Sequence, residues 1–499
     1  HAEVLDGNGN FYTENLRKAR NEIRYIFKGG GAETYEPHFT YQGFRYIRLA
    51  GLPEGWAPEQ FEAVVLHSEM ERTGTFSCSD ELVNRLHENI LWSLKGNFFE
   101  VPTDCPQRDE RLGWTGDAQV FIRTAACMYQ VAPFFTKWLH DLRLDQREDG
   151  GVPVIIPDVL DGEAHSAAGW ADAAVIIPWT LYLCYGDKRI LQNQYGSMRR
   201  WVEFVRAQGD DPYLYNTGFH YGDWLGLDSR PGDYSGATEK DFIATAFYAR
   251  SVELLARIAA VLGKEEDAKE LAEWHRRIKR AFRREFVTPG GRLAVPTQTA
   301  HVLALAFGLV EGKTRERAVR KLAELIEKNN NSLATGILGS AYLNPALSDC
   351  GLHETACRLL LNRGFPSWLH PVTLGATTIW EHWDGCREDG SFWSPEMNSF
   401  NHYAFGAVGE WLYRYAAGLD LDERQPGGRR LRIHPRGCPG LAWAEARIRT
   451  MYGEARCRWE RSGAGEWKLE VDIPGNSSAR VTLPGAAAAA TQGLAWRLA

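Results

Sequence analysis

A change of hydrophobic period near Ser79 constrains this chain more than any other feature. Before it, apolar residues tend to alternate with polar ones; after it they recur every three or four positions for over 300 residues. Ser79 or Asp80 is placed to cap a helix carrying Leu82, Leu86, Ile90 and Leu91. Ala268, Leu271, Trp274, Ile278 and Phe282 mark one single-striped helix, and Ala318, Leu322, Leu325 and Ile326 another, with Lys, Arg and Glu between. Segments 165–186 and 241–262 are instead apolar nearly all round. Striped helices alternating with all-apolar ones predict two concentric rings, an outer wet one and an inner buried one. About ten to twelve helices of this kind suit a double-ring α/α barrel better than a four-helix bundle.

The flanks read as β-structure, which divides the chain into a β-rich segment at 1–73, a helical domain at 74–419 and a small antiparallel β-sandwich at 420–499. Residues 38–49 and 61–67 are expected strands; 12–23 is at best a short surface helix. In the last part Trp467–Ile473 alternates cleanly and Arg480-Val-Thr-Leu follows after a turn, while the Ala run at 486–490 is low complexity and poorly ordered. The abrupt start suggests a remnant of a larger β-domain.

Composition excludes several classes. Hydrophobic residues at 44% and charged ones at 24% fit a globular chain with a large core, not a disordered or fibrous one. The net charge of −7, with no long Lys/Arg run, argues against a nucleic-acid partner. No apolar run is long enough for a membrane span, and the N-terminus has no signal core. Nine scattered cysteines without a C-x-x-C pair argue against a disulfide scaffold and a zinc knuckle; reduced thiols and a cytoplasmic setting fit best, with secretion open. Gly308-Leu-Val-Glu-Gly312-Lys-Thr is one residue short of a phosphate loop and reads as one helix ending and another beginning. His353-Glu354 lacks the second His of a zinc motif. Neither a metal nor a cofactor is expected.

What remains is side-chain chemistry. Asp104-Cys-Pro-Gln-Arg-Asp-Glu-Arg-Leu-Gly-Trp-Thr-Gly-Asp117 packs Asp104, Asp109, Glu110 and Asp117 among Arg108, Arg111 and Trp114. Its Pro and two Gly forbid a regular helix, so it is a loop, with the next helix starting near Asp117 as its cap. A surface ion-pair loop is the bland explanation, but such a loop has no need of Gly113, Gly116 and Trp114. Downstream, Thr377-Thr-Ile-Trp-Glu-His-Trp-Asp-Gly385 sets Glu381 between Trp380 and Trp383, where burial and neighbours can tune an acid. The alternative there is a packed aromatic turn whose Glu faces out. His402 is expected in the first turn of a helix running to about 417, and could be merely structural. Trp beside Asp recurs as Trp170/Asp172, Asp223/Trp224 and Trp383/Asp384 in a chain with 18 Trp. Stacking rings with hydrogen-bonding carboxylates suit a polyol ring, and a carboxylate pair suits glycosidic cleavage.

The string at 104–117, I-W-E-x-W-x-G at 379–385 and N-H-Y-A-F-G at 401–406 resemble, in the same order, those of bacterial α-L-rhamnosidases of glycoside hydrolase family 78. The resemblance spans roughly residues 38–499. It implies a mainly α fold, an (α/α)6 barrel flanked by β-domains, that cleaves terminal α-L-rhamnose from small rhamnosylated glycosides with inversion. Carried across position by position, Glu110 matches the general acid and Glu381 the general base. Asp104, Arg108, Trp114 and Asp117 match residues around the sugar; Trp170, Trp224 and His402 match on shorter stretches, and Asp109 would support the acid. Inversion calls for about 6.5–9.5 Å between the two acids. Two alternatives stand beside this: a barrel glycosidase for another deoxysugar, and a carbohydrate-binding protein that has lost catalysis. The second should lack one acid, and both are present.

Overall fold

The computed structural model describes residues 1–52, 54–462 and 466–483. Among them, eleven helices of nine residues or more follow in chain order: α1 (Glu81–Asn97), α2 (Thr115–Met128), α3 (Ala132–Asp145), α4 (Ala173–Tyr185), α5 (Lys188–Arg206), α6 (Lys240–Val261), α7 (Glu265–Phe286), α8 (Gln298–Ala306), α9 (Gly312–Lys328), α10 (Ile337–Asp349) and α11 (His353–Leu361). A closing segment completes them: a 3₁₀ turn Ala404–Val408, an α turn Gly409–Trp411 and a π turn Leu412–Ala416. The even-numbered helices and the closing segment touch in ring order, α2 to α4, α6, α8, α10, the closing segment and back to α2. The odd-numbered helices lie outside, giving the expected double ring.

Local chemistry explains the sorting. In α4 every residue from Ala173 to Cys184 is buried, whereas α7 buries the stripe Leu271, Trp274, Ile278, Ala281, Phe282 and Phe286 and exposes the rest. Glu265, Glu266 and Asp267 open α7, and Arg283 and Arg284 close it, each charge placed favourably for the helix dipole. Asp80 caps α1 by accepting from the Leu82 and Val83 amides at 2.9 and 3.2 Å. Gly308 follows α8 and Gly312 opens α9, as the failed phosphate loop implied.

The strands are β1 (Val4–Leu5), β2 (Phe11–Tyr12), β3 (Gly74–Cys78), β4 (Phe98–Phe99), β5 (Val101–Pro102), β6 (Leu419–Leu421), β7 (Arg430–Ile433), β8 (Trp443–Thr450), β9 (Gly453–Arg461), β10 (Trp467–Asp472) and β11 (Ser478–Val481). Two sheets make the C-terminal part, ordered β10-β9-β8-β3 and β11-β7-β6. Two details differ from expectation. β11 runs parallel to β7, and β3, which precedes the first helix, is hydrogen-bonded into the C-terminal sheet with Gly74 opposite Ile448 and Cys78 opposite Ala444. A side chain at Gly74 would run into the Cys127 carbonyl, so only glycine lets the strand pass so near α2. The Ala run at 486–490 lies outside the described residues.

The N-terminal expectation fails in its detail. Residues 38–49 and 61–67 form no strand; only Tyr46 makes an isolated bridge, to Ala2, and Phe61, Val64, Val65 and Leu66 are exposed. Strand propensity without a partner to complete the ladder yields an extended coil. The helix expected in 12–23 is one 3₁₀ turn, Glu14–Leu16. The cysteine reading is corrected too: Cys357 of α11 and Cys438 form a disulfide across 81 residues, while the other seven cysteines are free. Separation of that size hides a pair from spacing arguments. Among the described residues no helix is long and apolar enough to cross a membrane.

Candidate active site

Loops entering the inner helices meet at one end of the barrel. The stretch 104–114 joins β5 to α2, and its first half is buried: Asp104 and Arg108 are 1% exposed and Gln107 2%, which excludes a solvated ion-pair loop, while Asp109 is exposed. The Asp104 amide donates to the Leu112 carbonyl, and Asp104 Oδ1 accepts from the Leu112 amide at 3.0 Å, closing the loop on itself. A side chain at Gly113 would strike the Ile156 carbonyl, and one at Gly116 the Trp170 ring. Both glycines are thus packing requirements. α2 starts at Thr115 with Trp114 before it, so Asp117 sits within the first turn and does not cap it. The second stretch, 378–381, pairs back on 399–402. The Glu381 amide donates to the Ser399 carbonyl and the His402 amide to the Ile379 carbonyl. This pairing keeps His402 extended, just before the closing segment and outside the helical turn expected for it.

Arg108 stands at the centre. Its Nη1 and Nη2 donate to Glu381 Oε2 and Oε1 at 2.7 and 3.0 Å, and Ser399 N–H adds a third bond to Oε2 at 2.8 Å. Burial alone would raise the Glu381 carboxyl, but the guanidinium, His402 and the Ser399 amide overcome it and hold it at about 2. The same Nη2 lies 2.6 Å from Glu110 Oε2 and 3.6 Å from Asp104 Oδ2. Through this shared guanidinium, which sequence spacing does not reveal, the facing oxygens of Glu110 and Glu381 lie within about 5.6 Å of each other. With a C–O bond added on each side, the separation of the two carboxyl groups is compatible with either stereochemical course.

Other acids are pushed the opposite way. Burial, then the charge of Glu110, raises Asp104 to about 8; burial with Asp104 and Glu110 raises Asp117 well above the carboxylate range. Asp117 Oδ1 lies 3.2 Å from His402 Nε2, and burial lowers the imidazole as it raises the carboxyl, so it disfavours the charged form of both partners. Beside these groups runs an aromatic wall. Tyr221 meets Trp170 at 4.7 Å, Trp224 at 5.7 Å and Trp114 at 5.8 Å between ring centroids, and Trp224 continues to Tyr234 and Trp393, which stacks on His382. Burial and the charge of Glu110 push the Tyr221 hydroxyl to about 12, so the wall adjoins that acid.

All nine sequence-derived positions thus fall in the acid cluster or the wall, while the Trp–Asp pairs resolve differently. Asp172 accepts from Gly169, Trp201 and Ser251, and Asp223 from Thr299, Gly336 and Gly339; Asp384 binds His382 and Arg387. These carboxylates fasten loops to the scaffold. In the cluster the situation is reversed: Asp104 Oδ2, Arg108 Nε, Trp114 Nε1 and His402 Nδ1 are buried without a hydrogen-bond partner. Asp104, Cys105 and Glu110 bring ligand atoms within 4.8 Å of one another, yet Arg108 already stands against both carboxylates and burial holds the Cys105 thiol protonated, a poor cage for a cation. Sequence reasoning missed Arg17, whose guanidinium lies 3.4 Å from Glu110, and Glu3, buried nearby. It also passed over Tyr221, although the neighbouring Asp223-Trp224 was a usable signal.

Three family models cover nearly the whole chain: the bacterial alpha-L-rhamnosidase concanavalin-like domain at 1–67, the six-hairpin glycosidase domain at 71–416 and the C-terminal domain at 418–494. An alpha-L-rhamnosidase of Streptomyces avermitilis is 42% identical over 97% of this chain and 46% of its own length, and one of Formosa agariphila is 39% identical over 97% and 52%. The chain spans about half the length of these curated relatives. The solved Streptomyces avermitilis enzyme, complexed with L-rhamnose, superposes with a TM-score of 0.90 over 96% of this chain and 45% of that one. The Aspergillus terreus enzyme does so at 0.92, with 38% identity over 97% and 56%. This chain belongs to the bacterial α-L-rhamnosidase family.

Proposed function

We propose that the protein is a glycoside hydrolase that removes terminal α-L-rhamnose from small rhamnosides by inversion, with Glu110 as general acid and Glu381 as general base. The observation that carries this reading is the set of buried polar atoms left without partners around the two acids, flanked by tryptophan and tyrosine faces. Unpartnered buried donors and acceptors are costly unless a ligand completes them. A deoxyhexose supplies three hydroxyls and an apolar methyl face, which matches this mixture. The names of the relatives, and the L-rhamnose in one of their structures, support that sugar here.

In this reading Asp104, Arg108, Asp117 and His402 take the hydroxyls, and Trp114, Trp170, Tyr221 and Trp224 enclose the ring. His402 has Nδ1 free to donate once Asp117 occupies Nε2. Glu110, partly exposed on its side chain, protonates the leaving oxygen. Glu381 stays ionised at any working pH, but its oxygens are held by Arg108 and Ser399. Sugar hydroxyls that take over part of the Arg108 contact would free one oxygen to accept a proton from water and widen the gap to Glu110. The carboxyl pair joined through Arg108 also suits a second reading, retention with Glu381 as nucleophile.

The test is proton NMR of the sugar released from p-nitrophenyl α-L-rhamnopyranoside, beside a panel of other aryl glycosides. First-formed β-rhamnose supports inversion; α-rhamnose would replace the base role with a nucleophile. Turnover confined to another sugar would move the specificity, and silence on the whole panel would favour a binding role.

A further inference from the structure

The first seventeen residues reach Glu110 directly, through Arg17, and Glu381 through the stretch 398–400 that pairs with it. β1 and β2 form a small hairpin, and Val4 packs on Ala376, Trp380 and Phe400 while Tyr12 meets Phe392 at 4.3 Å between centroids. These contacts seat the hairpin on the stretch that carries Glu381. Asn15 then donates from Nδ2 to Glu3 Oε2 at 2.8 Å and to the Asn398 carbonyl at 3.3 Å, and Glu3 Oε2 accepts from the Phe400 amide at 3.3 Å. Asn398 and Phe400 flank Ser399, the residue bonded to Glu381 through both its amide and its carbonyl. On the other side Arg17 Nε donates to the Glu396 carbonyl at 2.8 Å, and its terminal nitrogens lie 3.4 Å from Glu110 Oε2 and 3.8 Å from Asp109 Oδ1. Glu3 and Asn15 are nearly inaccessible at 5% and 0%, so neither is a casual surface contact.

We propose that Glu3, Asn15 and Arg17 form a clamp that positions the two acids: Arg17 sets the charge and direction of Glu110, and the Glu3–Asn15 pair holds residues 398–400 under Glu381. The inference rests on the acid and base roles proposed above. It makes the N-terminal hairpin part of the reacting centre, although these residues lie far from either acid in sequence. All three are positioning residues, because each acts through another group. A cation beside an acid favours its ionised form; Arg17 acts on Glu110 together with Arg108, whose Nη2 is 2.6 Å away, and against the neighbouring Asp104 and Asp109, so it contributes to the alkaline limit of activity. A purely structural Arg17 would leave that limit where it is.

The experiment is the pH profile of kcat/KM for Arg17→Gln and Arg17→Lys, with the intact chain, on a p-nitrophenyl and on an alkyl α-L-rhamnoside. Arg17→Gln should move the alkaline limb upward by roughly 0.5–1 pH unit, and Arg17→Lys should restore most of it. A folded Arg17→Gln protein with an unmoved limb overturns the role at Glu110. For the other half, Asn15→Leu should lower kcat on both substrates by roughly tenfold while KM changes little; an unchanged kcat in a folded protein overturns it. Glu110→Gln serves as the separate control. If it shows no dependence on leaving group, the acid assignment fails, and the alkaline limb is then read against whichever group replaces it.

Discussion

Two sets of loops in this barrel carry the same ingredients, acids beside tryptophans, and use them in opposite ways. In the loops of Asp172 and Asp223 each carboxylate accepts three hydrogen bonds from the protein. Around Arg108, four acids compete for one guanidinium and one imidazole, and several buried polar atoms have no partner. Residue type therefore does not tell scaffold from site. What differs between these two regions is hydrogen bonding: the Asp172 and Asp223 carboxylates are fully bonded and contribute to stability, whereas the Arg108 cluster keeps buried donors and acceptors unused.

The largest expected effect separates the two acids. Glu381→Gln should lower kcat/KM roughly 10³-fold on aryl and alkyl rhamnosides alike, because water activation is needed for both. Glu110→Gln should cost roughly 10²-fold on the alkyl glycoside and far less on the p-nitrophenyl one, whose leaving group needs little protonation. Parallel losses from the two variants on both substrates would dissolve the distinction.

Next comes the contrast between scaffold and site. Asp223→Asn replaces an acceptor of three hydrogen bonds and should lower unfolding free energy by about 1–3 kcal/mol in urea titrations while sparing KM. Asp117→Asn should do the reverse, since burial already disfavours its charge: stability held or improved, KM raised several-fold. If both variants lose stability and neither affects KM, the line drawn between the two regions is wrong.

The smallest effect is on pH dependence. Asp104 and Glu3 hold their protons in the fold up to about 8, whereas an unfolded carboxyl releases its own near pH 4. Unfolding then releases protons between those values, so these groups make stability fall as pH rises from about 4 to 8. Glu381, held at about 2, works in the other direction: its contribution is present above about 4.5 and is lost as pH falls towards 2. Asp104→Asn should flatten the decline between pH 5 and 8, and an unaltered slope in chemical denaturation would assign it to other groups.

The helical rings were legible because period and polarity are local properties, repeated often enough in α4, α6, α7 and α9 to be read residue by residue. The acid loop was legible for a related reason: a string from Asp104 to Asp117 with two glycines among charges has few bland explanations, and Gly113 and Gly116 proved to be packed against Ile156 and Trp170. Strand propensity at 38–49 and 61–67 misled, since a strand depends on a partner that propensity does not supply. The Trp–Asp pairs misled in another way, because what a carboxylate bonds to is decided by residues as distant as Gly336 and Ser251.

By itself the sequence determined the ring architecture and the family and singled out the two candidate acids, since each rests on residues close together along the chain or on long specific strings. Only the tertiary structure decided that Arg108 joins Glu110 to Glu381, that β3 completes the C-terminal sheet, that Cys357 meets Cys438, and that Glu3, Asn15 and Arg17 reach the site. The physical reason is the same in each case. Contacts between groups tens or hundreds of residues apart depend on how whole elements pack, and no local pattern of hydrophobicity or charge encodes which distant partner will arrive.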